Sequence, residues 1–320
     1  MRIVFMGTGE IALPSFRMMV EAGGLVGLVT QPDRPVGRSS RLRPPRIKEL
    51  AGEAGLPVLQ PARVRVKEAI AEIEALDPDL IVVMAYGQIL PGGLLELPAH
   101  GCINVHASLL PRHRGASCIQ AAVAAGDKES GVSIIVMDEG LDTGEVINRR
   151  AIPLHPAETG GTLHDRLAEL APKALAESLR RIATGEMRRE PQDDSLATYA
   201  PKLERAEGEV NWGLPADELE RRIRAHEPWP GSFTAYRDNR GRTRRLKLFA
   251  GGVVMQGESP GKPGELCQVG SSGILVACGR GGFWLGDVQG EGGKRLSVRE
   301  FLRGHPLAAG EYLFSLAGGS

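Results

Sequence analysis

The chain has 320 residues, 42% of them hydrophobic and 24% charged, and its 39 basic and 39 acidic side chains cancel. That length points to two domains, and the cancelled charge requires any affinity for nucleic acid to come from local patches. Four cysteines without C-x-x-C spacing exclude a disulfide scaffold, and no apolar run nears the roughly 20 residues of a membrane span, so a cytoplasmic protein is expected.

Residues 2–6 (RIVFM) form an apolar run, followed by Gly7-Thr8-Gly9-Glu10 and a helical pattern over 14–22. Strand, glycine turn and helix are how doubly wound α/β domains open. The letters also fit G-x-G-x-x-A at Gly7, Gly9 and Ala12. A dinucleotide site should have an acid at the end of the next strand, but residues 25–30 run into Val29-Thr30-Gln31, and Pro14 interrupts the helix that would hold pyrophosphate. Residues 31–48 (QPDRPVGRSSRLRPPRIK) set Arg34, Arg38, Arg41, Arg43, Arg46 and Lys48 against the single acid Asp33. A long basic βα loop suits a polyanion, since phosphate contacts need only Arg and Lys in reach. A solvated linker is the alternative.

A short strand at 56–59 and an amphipathic helix at 66–76 lead to Leu80-Ile81-Val82-Val83-Met84, the unbroken apolar run of a parallel strand buried on both faces. It ends at Ala85-Tyr86-Gly87-Gln88. Residues 101–117 (GCINVHASLLPRHRGAS) then begin as a strand carrying Asn104 and His106 two apart, hence on one face. Pro111 takes the following segment out of the sheet, and a helix is expected over 116–125. A buried strand that merely ends in polar residues remains possible from this stretch alone. Residues 131–137 (GVSIIVM) read as a strand running into Asp138-Glu139-Gly140-Leu141-Asp142-Thr143-Gly144, and a long helix follows to about residue 183, capped by Thr159 or Thr162.

From 185 to about 209 the chain turns polar and irregular and reads as an interdomain connection. Beyond it lie a helix at 215–225 and short strands around Phe233, Leu246, Leu266, Ile274 and Trp284 between glycines, the pattern of a small β-barrel. Residues 237–247 repeat the basic theme with Arg237, Arg240, Arg242, Arg244, Arg245 and Lys247 against Asp238.

Asp142, in a Gly-flanked turn after a separate strand, is the best partner for His106, because a neighbouring carboxylate raises an imidazole pKa and fixes its tautomer. Asn104 supplies a neutral donor for the oxyanion of a tetrahedral intermediate. The three support proton transfer and carbonyl addition without a metal. Rival readings fit less well. Asp142-Thr143-Gly144 spells an aspartic-protease triplet, but such enzymes need two. Cys102, His106 and His113 match no common metal spacing, and Ser108 and Cys118 lack a nucleophile-elbow setting.

Asn104-x-His106, Ser108-Leu109-Leu110-Pro111-Arg112, Arg114-Gly115-Ala116, Gln120 and Asp142-Thr143-Gly144 closely resemble the folate-dependent formyltransferase family. Lys202-Leu203, Glu207-Gly208, Asn211-Trp212, Arg222-Ile223-Arg224-Ala225 and Pro228-Trp229-Pro230-Gly231 are similar to the member of that family that acts on tRNA, and Phe5-Met6-Gly7-Thr8 and Asp33-Arg34-Pro35 agree. The resemblance implies a Rossmann-like doubly wound α/β catalytic domain at 1–184, a linker at 185–207 and an OB-like β-barrel tRNA-binding domain at 208–313. It further implies transfer of formyl from 10-formyltetrahydrofolate to the α-amine of methionine on initiator tRNA, by a monomer. The family's catalytic trio falls on Asn104, His106 and Asp142, its folate loop on Leu109, Leu110, Pro111 and Arg112, and its tRNA-entering loop on Arg34, Arg38, Arg41, Arg43, Arg46 and Lys48. Runners-up are formyl transfer to a ribonucleotide or nucleotide sugar, formyltetrahydrofolate hydrolysis, and a tRNA-binding module with a dead enzyme fold. The sequence departs from the family pattern at Gly9 (usually Pro), His113 (usually Trp), Ser117-Cys118 (usually Ala-Pro) and His226 (usually Phe).

Overall fold

The structure is a computed structural model that describes residues 1–36 and 41–316. In chain order the strands are β1 (Ile3–Gly7), β2 (Leu25–Val29), β3 (Arg34–Val36), β4 (Arg41–Arg43), β5 (Val58–Leu59), β6 (Leu80–Met84), β7 (Cys102–His106), β8 (Glu129–Val136) and β9 (Val146–Pro153). Between them run α1 (Leu13–Ala22), α2 (Arg46–Glu53), α3 (Lys67–Glu74), α4 (Gly92–Leu95) and α5 (Cys118–Ala125), and α6 (Gly160–Ala183) follows. The chain then continues through α7 (Ala216–Ala225), β10 (Ser232–Arg237), β11 (Thr243–Leu248), β12 (Val253–Met255), β13 (Leu266–Gly270), β14 (Gly273–Ala277), β15 (Gly282–Trp284), β16 (Val288–Gly290) and α8 (Val298–Gly304).

Two compact units divide these elements. The first comprises Met1–Cys118, Glu129–Pro153 and His164–Ala200, and the second comprises Ile119–Lys128, Leu154–Leu163 and the chain from Pro201 onward. Residues 185–200, expected as part of a linker, therefore belong to the first unit. Gln192 and Asp194 there accept from Arg114, and Glu190 accepts from Arg149.

The first unit is built on a seven-stranded sheet of order β5-β2-β1-β6-β7-β8-β9. Strands β5 to β7 are parallel, and β8 runs against both its neighbours. β1 and β6 are buried along their whole length, as their unbroken apolar runs require. Alternation along β1 sends Phe5 to one face, where it meets Phe16 of α1 edge-to-face at 5.4 Å between ring centroids. Val4 and Met6 go to the other, into a cluster with Ile73 of α3 and Leu94 of α4. Helices on both faces are what a doubly wound sheet needs. Pro14 sits in the first turn of α1, where its missing N–H costs nothing. The order reverses between β1 and β6, so the crevice at their carboxyl ends is the switch point where such sheets bind ligands.

In the second unit the strands expected around Phe233, Leu246, Leu266, Ile274 and Trp284 are all present. They form two antiparallel sheets, β10-β11-β16 and β12-β15-β14-β13. Leu219 and Ile223 of α7 and Phe301 of α8 join Leu246, Leu266, Val276 and Phe283 in one core. α7 carries Asp217 and Glu218 in its first turn and Arg222 and Arg224 in its last, charges matched to the helix dipole. Ser297 and Glu300 close a capping box at the start of α8.

Candidate active site

β7 places Asn104 and His106 side by side on one face, with Ile103 and Val105 buried on the other. β8 leaves the sheet at Val136, opposite Ile103, and the loop after it returns along β7 to bring Asp142 to both residues. Asp138 organises that loop by accepting from the Gly140 N–H at 3.0 Å and the Thr143 hydroxyl at 2.6 Å. Gly144 closes it so tightly that a Cβ there would lie 1.7 Å from the Val136 carbonyl oxygen.

The Asp142 carboxylate is occupied on three sides. Asn104 Nδ2 donates to its Oδ1 at 3.2 Å, the Gly115 N–H donates to its Oδ2 at 2.8 Å, and His106 Nδ1 lies 3.5 Å from Oδ2. The histidine and aspartate side chains are only 7% and 14% exposed. His106 Nε2 faces the backbone carbonyl of His113 at 3.0 Å. Acceptors thus sit at both ring nitrogens, and only the doubly protonated imidazolium can donate to both. Burial pulls the His106 pKa down, but the Cys118 sulfur, the Asp142 carboxylate and the His113 carbonyl outweigh it and raise it to about 9. Asn104 Nδ2 spends one N–H on Asp142 and keeps a second for a ligand.

The loop after β7 is fixed from below. Ser133 Oγ donates to the Ser108 carbonyl at 2.7 Å and accepts from the Leu110 N–H at 3.0 Å, and Arg149 Nε donates to the Leu110 carbonyl at 3.1 Å. Leu110 is 2% exposed and packs on Ile135 and Val146. Its side chain packs into the core, at the start of a turn that runs from Leu110 to His113. Leu109 and Pro111 are half-buried and Arg112 is exposed, so these three remain the residues of that loop able to face a ligand.

Residues 190–200 contribute what the sequence did not reveal. Glu190 and Val146 exchange backbone bonds at 2.9 Å. The Arg114 N–H donates to the Thr198 carbonyl at 2.8 Å, and the Ala200 N–H donates to the Arg114 carbonyl at 2.7 Å. Gly115, at φ +113°, allows this approach, because a Cβ would lie 2.6 Å from the Ala200 carbonyl. Arg114 is 1% exposed, and its guanidinium donates to Gln192 Oε1 at 2.9 and 3.2 Å and to Asp194 Oδ1 at 2.6 Å. Gln192 Nε2 donates onward to the carbonyls of Asp142 at 2.8 Å and Gly144 at 2.7 Å. No spacing rule singles out Gln192, because the burial of Arg114 that demands an acceptor is itself a tertiary fact.

At the switch point, the Gly9 N–H donates to the Ala85 carbonyl at 3.3 Å and the Gln31 N–H donates to Thr8 Oγ1 at 3.1 Å. The glycine turn is thus bonded to neighbouring loops. Cys102, a candidate metal ligand by residue type, is buried, which pushes its thiol up to about 12. Among the described residues no group of three or more His, Cys, Asp or Glu could hold a metal ion.

The basic segment after β2, read as a loop, contains a hairpin in which β3 and β4 pair Arg34 with Arg43. Arg38 and the side chain of Arg41 lie outside the described residues. Arg43 is exposed, while Arg34 donates to Gln31 Oε1 at 3.3 Å. Arg46 and Lys48 begin α2 and pair with Glu10 at 3.2 Å and Asp33 at 2.9 Å. In the second unit, Asp238 is held well below the usual carboxylate range: burial opposes this, but donors from Arg240, Arg242 and Arg244 prevail. Arg245 lies over the Phe233 ring at 3.5 Å. Much of that segment's positive charge is therefore engaged internally, and Lys247 stays exposed.

Comparison with known proteins adds a lineage to this geometry. The formyl transferase family model matches residues 1–179, and that of the formyl transferase C-terminal domain matches residues 202–306. A methionyl-tRNA formyltransferase of Akkermansia muciniphila is 51% identical over 306 residues, covering 96% of this chain and 97% of its own. One from Geobacter sulfurreducens is 48% identical over 314 residues, covering 98% and 96%. Among solved structures, the sugar 3N-formyl transferase WlaRD, crystallised with dTDP and 5-N-formyl-THF, superposes with a TM-score of 0.64 at 15% identity, over 92% of this chain and 99% of its own. HypX from Aquifex aeolicus, in complex with tetrahydrofolic acid, superposes with a TM-score of 0.59 at 18% identity, over 94% of this chain and 47% of its own.

Proposed function

The chain belongs to the formyl transferase family, and from that premise we propose that it transfers the formyl group of 10-formyltetrahydrofolate to the α-amine of methionine carried by initiator tRNA. The relatives that share about half its residues over nearly their whole length bear the name of that reaction. The observation that carries the reading is the triple engagement of Asp142 by Asn104, Gly115 and His106.

The uncharged amine attacks the formyl carbon, and a carbon–nitrogen bond forms as the carbonyl oxygen gains charge. The second N–H of Asn104 donates to that oxygen, an interaction strongest in the transition state. Collapse breaks the bond to the folate N10, which needs a proton, while the new amide nitrogen must lose one. His106 relays it, giving a proton to N10 and recovering one from the attacking nitrogen, so the proton count closes. Asp142 orients the ring through Nδ1 and stabilises its charged form. Leu109, Pro111 and Arg112 face the folate. The basic hairpin and α2 meet the acceptor arm of the tRNA, and the second unit holds another part of it. Among the described residues no helix is long and apolar enough to cross a membrane; a monomer acting in the cytoplasm completes the proposal.

The test follows tetrahydrofolate release with three acceptors: methionine-charged initiator tRNA, the same tRNA uncharged, and a nucleotide-linked amino sugar. Release with the charged tRNA alone is expected. Equal release without acceptor marks a hydrolase, and release with the sugar marks a sugar formyltransferase.

A further inference from the structure

We propose that Gln192 is a positioning residue for Asp142: its amide locks the aspartate's turn to the buried Arg114 and so holds the carboxylate in register with Asn104 and His106. The inference rests on the role given to Asp142 above and adds the group that keeps it there.

Asp142 needs holding because its backbone is left-handed, at φ +55°. That conformation is uncommon for a residue with a Cβ and persists where its surroundings impose it. Gln192 supplies such surroundings at the residue itself, since one amide nitrogen donates to the Asp142 carbonyl and to the Gly144 carbonyl two residues on. Bridging the two fixes the turn at both ends. The side chain cannot be reversed, because a flipped amide would set its oxygen against two carbonyl oxygens and its NH2 against a guanidinium. Arg114 anchors the far end. It is fully buried, paired with Asp194, and bonded through its backbone to Thr198 and Ala200.

A second path closes the circuit. The residue after Arg114 is Gly115, whose N–H donates to Asp142 Oδ2. The Arg114–Gly115 segment thus reaches the carboxylate directly, and reaches the carbonyl of the same residue through Gln192. Side chain and backbone of Asp142 are set against one reference point, which fixes the carboxylate's direction as well as its place. A small rotation of the turn would move Oδ2 away from His106 Nδ1, where the separation is already 3.5 Å, and displacement by about 1 Å commonly costs on the order of 10²-fold in rate.

Gln192→Ala and Gln192→Glu separate positioning from plain support of the fold. Glutamate keeps an acceptor for Arg114 but loses both donors to the Asp142 turn. Both variants are expected to lose about 10- to 100-fold in kcat, with KM for donor and tRNA nearly unchanged and the alkaline limb of the kcat profile shifted to lower pH. Gln192→Glu sets a carboxylate oxygen against the Asp142 and Gly144 carbonyls, so its melting temperature should fall, and kinetics are read well below that melt, where circular dichroism shows the chain folded. Wild-type kcat in Gln192→Glu, or a kcat loss with an unshifted pH limb, overturns the proposal. Asp142→Asn is measured alongside. If that variant turns over normally the Asp142 reading itself fails; if it is impaired while Gln192→Glu is not, only the positioning role fails.

Discussion

Asp142→Asn removes one charge and little else. Asparagine is among the residues most tolerant of the left-handed region, so the φ of +55° at this position survives the change. The carboxylate stands 3.5 Å from His106 Nδ1, and at an effective dielectric of about 20 that separation gives roughly 5 kcal/mol of attraction for the charged ring. If about half is lost to screening at a site still partly open, some 2–3 kcal/mol remains; the ring is charged at rest, so the loss lowers the His106 pKa by about 2 and leaves its acid form on the order of 10²-fold scarcer on the alkaline side. The amide also presents an N–H toward either Asn104 Nδ2 or the Gly115 N–H, so one accepted hydrogen bond is lost as well. Single-turnover release of tetrahydrofolate at saturating tRNA should therefore slow by about 10²-fold or more, while filter binding of the tRNA stays as it was. Weakened tRNA binding with a normal single-turnover rate would refute the reasoning.

The pH profile of kcat should be a bell. Its acid limb reports the methionine amine, which must be uncharged and whose unperturbed pKa lies near about 8; its alkaline limb reports His106 losing the proton it gives to N10, at about 9. Cys118→Ala removes a group that holds the His106 pKa up, and should move only the alkaline limb, to lower pH. Because that pKa is raised on folding, its contribution to stability is complete below the unfolded value of about 6.5 and fades as pH rises through the folded value; urea midpoints measured across that window should fall, and fall less in Cys118→Ala. Neutralising Arg38, Arg41 and Arg43 together should weaken tRNA binding and flatten its dependence on salt by about one unit of slope for each phosphate no longer neutralised, whereas an unchanged slope removes this basic segment from the interface. Leu110→Ala should cost about 2–5 kcal/mol in urea unfolding as a core deletion, and a raised KM for the donor at unchanged stability would return that side chain to the pocket.

Much of this site can be read from local pattern. Unbroken apolar runs locate β1 and β6 because strands covered on both faces admit little else, and the two-residue spacing of Asn104 and His106 places both on one face. Asp142 was legible as a carboxylate in a glycine-flanked turn after a separate strand. Gln192 was not, since its value comes from two carbonyls about 50 residues earlier in the chain and an arginine 78 residues away. A polar stretch reads as solvated until its partners are known, which is how 185–200 came to look like a linker. The burial of Leu110 was not legible either: it lies within a motif whose neighbours are half-buried or exposed, and its packing on Ile135 and Val146 is a tertiary fact. The nearness of Cys118 to His106 likewise depends on where the loop after β7 returns, which residue spacing leaves open.

The central claim is that His106, held by Asp142, moves the proton that lets the formyl group pass from folate to the methionine amine. Its most direct test follows isotope-labelled formyl from 10-formyltetrahydrofolate in a single turnover with charged initiator tRNA, comparing the wild-type chain with His106→Ala. In the wild type the label is expected on N-formylmethionine, and in His106→Ala it is expected to stay on the folate although the tRNA is still bound. Label reaching methionine at the wild-type rate in His106→Ala, or appearing as formate in the wild type, contradicts it.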